Sequence, residues 1–147
     1  MAEREITPGV VKQMYTEYVN AMEERRYTES FGDKVSGWFR SSRNDPLQDD
    51  FAKNIEDTMN ALAEMRPDAA VLYEILYFMY TVPQDHGKDA AIYFMLLAVQ
   101  RYTAAVIPLL SKEDAEALLE VYEEAVPKRD RVPVVKDTIK LLKKQAK

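Results

Sequence analysis

The sequence predicts an all-α fold, a compact bundle of six or seven helices around a central buried helical hairpin. Three observations carry this. Two apolar runs, residues 69–82 (AAVLYEILYFMYTV) and 90–99 (AAIYFMLLAV), are separated only by PQDHGKD, and both are apolar nearly all the way round, as helices inside a core are. Stripes of apolar residues at three- and four-residue spacing recur on either side of them. Glycine is scarce, at four residues, while the seven prolines stand mostly where such stripes begin or end. That is the punctuation of helices, since sheet proteins need glycine-rich turns.

Taken in order, Thr7-Pro8 is an N-cap followed by proline at the first helical position. Val11, Met14, Tyr15, Tyr18, Val19 and Met22 then make an amphipathic helix running to about Arg26. A second stretch from Thr28 places Phe31, Val35, Trp38 and Phe39 on one side, weakened by Gly32 and Gly37. Whether it continues the first helix decides between six and seven. SSRNDP is a loop in which Asp45 caps and Pro46 opens the next helix, whose stripe is Leu47, Phe51, Ile55, Thr58, Met59 and Leu62. It stops at Arg66-Pro67, because the residue before proline is pushed out of the helical region.

Pro67-Asp68 starts the first apolar helix, with the acid in the first turn. Pro83 and Gly87 reverse the chain, and a helix from Lys88 is expected to run to about Ile107, where Pro108 ends or kinks it. YFMYTVPQ (77–84) resembles YFMLLAVQ (93–100), which reads as two helices meeting similar packing demands. Ser111 with Asp114 three residues on is a capping-box-like start for a helix with Ala115, Leu118, Leu119, Tyr122 and Val126 inward. Pro127 closes it. After Pro133, Val134, Val135, Thr138, Ile139, Leu141 and Leu142 form the apolar side of a last helix, and lysines populate the rest.

A chain of 147 residues is one domain, residues 1–147, with a basic C-terminal helix, 133–147, that either docks on the bundle or binds a partner. The net charge of −5 is unevenly placed: residues 128–147 carry +6 and the first 127 carry −11. Neither apolar run reaches the roughly 18 to 20 residues of a membrane span. No apolar segment of a secretory signal stands at the N-terminus, so the cytoplasm is the expected location.

Cysteine is absent, which removes disulfides, cysteine-ligated metals and thiol nucleophiles. His86, the single histidine, stands with Asp85 and Asp89 in a hairpin tip, where aspartate caps the following helix. Metal and serine-hydrolase motifs are missing, and the glycines follow no strand, so no phosphate cradle forms. The sequence therefore assigns no catalytic residue, metal, cofactor or small-molecule substrate.

Nine of the fifteen aromatic residues are tyrosines. Tyr73, Tyr77 and Tyr80 share a helical face, Tyr93 and Tyr102 lie on the next helix, and Trp38 stands beside Phe39. Tyrosine joins large apolar area to a hydrogen bond, which suits interfaces. Helices apolar all round also need neighbours on every side, and one chain of this size supplies few. The expectation is a non-enzymatic assembly protein, a homo-oligomer or a small subunit of a larger complex, with these seven aromatics as interface candidates. The alternative is nucleic-acid binding, alone or in a nucleoprotein complex, through Lys128, Arg129, Arg131, Lys136, Lys140, Lys143 and Lys144.

Overall fold

The computed structural model describes residues 6–28 and 46–147. Among them are six α-helices and no strand: α1 (Pro8–Thr28), α2 (Pro46–Met65), α3 (Ala69–Thr81), α4 (Ala90–Ala98), α5 (Lys112–Ala125) and α6 (Pro133–Gln145). Short 3-10 segments join them at Val82–His86, Val99–Ala105, Ile107–Leu109 and Lys128–Asp130. The bundle is the all-α fold that the periodicity predicts. The stretch from Glu29 to Asp45, with Trp38, Phe39 and the Asp45 cap, lies outside the described residues.

Most helix starts follow the capping logic of the sequence. The Thr7 hydroxyl accepts the Val10 N–H at 3.2 Å, the Ser111 hydroxyl accepts that of Asp114 at 3.1 Å, and the Asp89 carboxylate accepts that of Ile92 at 3.3 Å. Asp68 differs from its reading. It sits at the N-cap of α3, outside the first turn, and its side chain makes no cap bond. At the end of α2, Arg66 turns left-handed, with φ of 52°, while its N–H returns to the Leu62 carbonyl at 3.0 Å. Pro67 follows, so the chain leaves the helix at the pre-proline residue.

The expected helix from Lys88 to Ile107 is corrected. Only Ala90–Ala98 is α-helical, and at Val99 the chain tightens into seven residues of 3-10 helix. There the Thr103 hydroxyl donates to the Gln100 carbonyl three residues back, at 2.7 Å, a partner that the tighter winding presents.

This 3-10 segment is the centre of the molecule. It packs against α2, α3, α4 and α6, and so joins the α1–α2 pair to the second half of the chain. Helix α3 lies between α1 and α5, while α4 packs on the turn before it, the 3-10 segment after it and α6. The core draws on every helix, from Val11 and Ile55 to Leu76, Leu97, Leu118 and Leu142, all within 2 % of full burial. Each such side chain contributes about 1.5–3 kcal/mol of gross hydrophobic stabilisation.

Two polar side chains on the 3-10 segment are fully buried, Gln100 and Thr103. The Gln100 amide donates to the Met79 carbonyl of α3 at 2.8 Å and accepts from the Tyr122 hydroxyl of α5. The Tyr80 hydroxyl donates to Thr103 at 2.9 Å, and its ring stacks on Tyr122 with centroids 4.4 Å apart. All four side chains are thus paired. Burial holds both phenols well above the ordinary tyrosine range, so they donate as neutral groups.

Side chains also close the end of α5. Arg131 donates to the Glu123 and Val126 carbonyls at 2.9 and 3.2 Å, and Gln84 donates to that of Ala125 at 2.9 Å. Gln145 ties α6 down through the Leu110 and Pro108 carbonyls, at 2.7 and 3.2 Å.

Tyr15 offers the contrast to this network. It is 2 % exposed and meets Phe51 and Phe78 edge to face, but its buried hydroxyl has no hydrogen-bond partner among the described residues. Tyr122→Phe is expected to cost about 1–3 kcal/mol, because it leaves the buried Gln100 oxygen without that donor. Tyr15→Phe is expected to be neutral or to stabilise by up to about 1 kcal/mol. Urea unfolding of the two variants checks this, and equal losses would contradict it.

Candidate functional site

The outward surfaces of the two apolar helices are where sequence and burial disagree most. Every exposed position of α5, from Lys112 through Glu113, Glu116 and Glu120 to Glu124, is charged. On α3 the exposed positions are Ala69, Ala70, Glu74 and Tyr77, and on α4 they are Ala90, Ala91 and Phe94. One charge in seven positions is unusual for a solvated helix face. Tyr77 is 45 % exposed and Phe94 43 %, the two exposed aromatics among the described residues. Tyr73 is half-buried beside Tyr77, the rings lying 6.2 Å apart and nearly parallel.

The predicted interface tyrosines therefore divide. Tyr77 faces out, and Tyr73 and Tyr102 are half-buried. Tyr80 is corrected to a core residue, fully buried in the network around Gln100. It lies about 60° further round α3 than Tyr77, on the side that α5 covers. Tyr93 is also inside, at 8 % exposure, and its hydroxyl donates to the Asp130 carboxylate at 2.8 Å, pinning the α5–α6 link onto α4.

Phe94 carries the surface on α4, and the tyrosine-based reading missed it. The signal was the pattern Ala90, Ala91, Phe94, Ala98, a stripe of small residues about one aromatic. The likeness of 77–84 to 93–100 does not extend to environment, since Tyr77 is exposed where Tyr93 is buried and Met79 is buried where Met95 is half-buried.

The basic candidates divide as well. Helix α6 is docked: Val135, Thr138, Ile139 and Leu142 are buried, and its largest partner is α5. Its lysines 136, 140, 143 and 144, with Lys147 just beyond, are exposed, and none lies within ion-pair distance of a carboxylate among the described residues. At positions i, i+4, i+7, i+8 and i+11 they form a stripe about 16 Å long. Lys128 and Arg129 are exposed on the 3-10 segment that precedes α6 in sequence, Arg129 approaching Asp130 at 4.0 Å. Arg131 is set apart, because its guanidinium is committed to the carbonyls at the end of α5.

His86 is half-buried at the end of its 3-10 turn, and Asp89 is occupied as the cap of α4. No group of three or more His, Asp or Glu side chains among the described residues is placed to hold a metal ion. No helix among them is long and apolar enough to cross a membrane. No protein family, curated protein or solved structure matches this chain.

The Tyr93–Asp130 contact has a pH signature. Burial, and next the adjoining carboxylate, push the Tyr93 phenol up from 10.0 to about 12. A folded value above the unfolded one means that the contribution is complete below pH 10.0 and is lost as pH rises through about 12. Denaturant unfolding across this window is expected to show stability falling between those values, and Tyr93→Phe is expected to flatten part of the fall. An unchanged pH profile in the variant would contradict the contact.

Proposed function

We propose that this chain is a non-enzymatic assembly protein that self-associates, or joins a larger complex as a small subunit, through the outward faces of α3 and α4. The supporting observation is the exposure of Tyr77 and Phe94 on faces that carry Glu74 as their one exposed charge. Covering such faces with a second chain removes apolar area from water at little desolvation cost, and rigid aromatics are the side chains that dominate interfaces. The reading places the protein in the cytoplasm, as a structural or scaffolding component with no substrate of its own.

Light scattering across a concentration series is expected to give a mass above one chain. The double variant Tyr77→Asp/Phe94→Asp is expected to return it to one chain with its helical content intact, since both side chains are already largely outside the core. A mass of one chain at every concentration would remove self-association.

A second reading rests on the lysine stripe of α6 with Lys128 and Arg129. Five lysines on one face, with no carboxylate partner among the described residues, are suited to nucleic-acid phosphates, and such binding weakens steeply with salt. Retardation of generic single- and double-stranded nucleic acid at about 50 mM salt, much reduced at about 200 mM, is expected under this reading. Lys136→Glu/Lys140→Glu/Lys144→Glu is expected to abolish it, while Arg131→Ala acts mainly on stability. Absence of retardation at the lower salt, with the protein folded, disposes of it.

A further inference from the structure

Helices α1 and α2 run antiparallel, with Ile6 and Val10 near Met65 at one end and Ala21 near Leu47 at the other. One side of the pair is closed by α3 and by the central 3-10 segment. The other side holds an open groove of about 1030 Å³, continued by a smaller one of about 270 Å³ that shares Met14 and Glu17 with it. The floor of the larger groove is apolar and soft: Val10 and Met14 from α1, Ala61 and Met65 from α2, with Met65 42 % exposed.

The rim is acidic. Asp50, Asp57 and Glu64 all line the seam and are all exposed. They stand at i, i+7 and i+14 of α2, so they recur on one face about every 10.5 Å over about 21 Å. Glu17 adds a carboxylate from α1, held by the Gln13 amide at 3.1 Å. Neither lysine nor arginine lines the seam among the described residues. Lys53 meets Asp57 at 3.2 Å from outside, an exposed pair that a competing cation displaces at small cost.

We propose that this seam docks a basic amphipathic helix of a partner protein. Among the described residues, no third helix lies in the furrow between these two antiparallel helices to complete a three-helix packing unit. Methionines accommodate varied apolar side chains in such a furrow. Carboxylates repeating every seven residues match lysines or arginines flanking the apolar seam of a heptad-patterned helix. The charge complementarity selects a basic helix over an acidic or neutral one and speeds encounter. The groove is a surface separate from the outward faces of α3 and α4, so it stands or falls independently of self-association.

The probe is a fluorescein-labelled peptide of about eighteen residues of Leu and Lys in helical heptad pattern, with a Glu-for-Lys version as control. Fluorescence anisotropy with the full chain is expected to show binding of the Lys peptide that weakens with salt, and none of the Glu peptide. Asp50→Asn/Asp57→Asn/Glu64→Gln is expected to weaken it about tenfold, and the exposed-floor variant Met65→Lys to weaken it as well. Glu116→Gln/Glu120→Gln/Glu124→Gln on α5 removes as many carboxylates elsewhere and is expected to leave binding unchanged. No binding of the Lys peptide to the folded chain overturns the proposal, as does equal binding of the Glu peptide or equal weakening by the α5 variant. A chain that is monomeric and still binds the peptide at the seam removes self-association alone.

Discussion

The interior of this protein depends on one amide. Gln100 is fully buried on the 3-10 segment, and its two ends hold two different helices, the Met79 carbonyl of α3 and the Tyr122 hydroxyl of α5. A buried amide left unpaired costs more than a paired one contributes, so the three elements are held in one relative arrangement. Thr103 and Tyr80 extend the same constraint, and the stacking of Tyr80 on Tyr122 closes it. Because the segment also packs on α2 and α6, fixing Gln100 fixes both halves of the bundle.

That arrangement decides what is left outside. With α3 held against α1 and α5, and α4 held by its turn, the 3-10 segment and α6, their remaining faces have no neighbour among the described residues. Among the described residues no helix covers those faces, and Tyr77 and Phe94 stand exposed on them. The two poles of charge follow from packing too. Docking α6 by Val135, Ile139 and Leu142 turns its lysines to solvent, and docking α2 by Phe51, Ile55, Met59 and Leu62 leaves Asp50, Asp57 and Glu64 along the open seam.

Much of this was legible in the residues, for reasons that are local. Caps at Thr7, Ser111 and Asp89, the break at Arg66-Pro67 and the buried stripes of α1, α2, α5 and α6 each depend on spacing over a few residues. What escaped depends on neighbours distant in sequence. Tyr73, Tyr77 and Tyr80 share a face, but only the position of α5 decides that Tyr80 is core and Tyr77 is surface. The end of α4 at Ala98 is set by the interior partners of Gln100 and Thr103, where periodicity alone favours a helix to Ile107. Arg131 reads as one more basic residue until the carbonyls of α5 are in place. The acidic heptad of α2 is visible in sequence, but its meaning requires knowing that α1 leaves a furrow beside it.

Under the proposed assembly, another chain covers the outward faces of α3 and α4. Hydroxyl-radical footprinting of the full protein across a concentration series tests it most directly, because tyrosine and phenylalanine report their own exposure. Tyr77 and Phe94 are predicted to be labelled at low concentration and protected as concentration rises, with Tyr80 silent throughout. Labelling of Tyr77 and Phe94 that stays the same at every concentration would contradict coverage by a second copy.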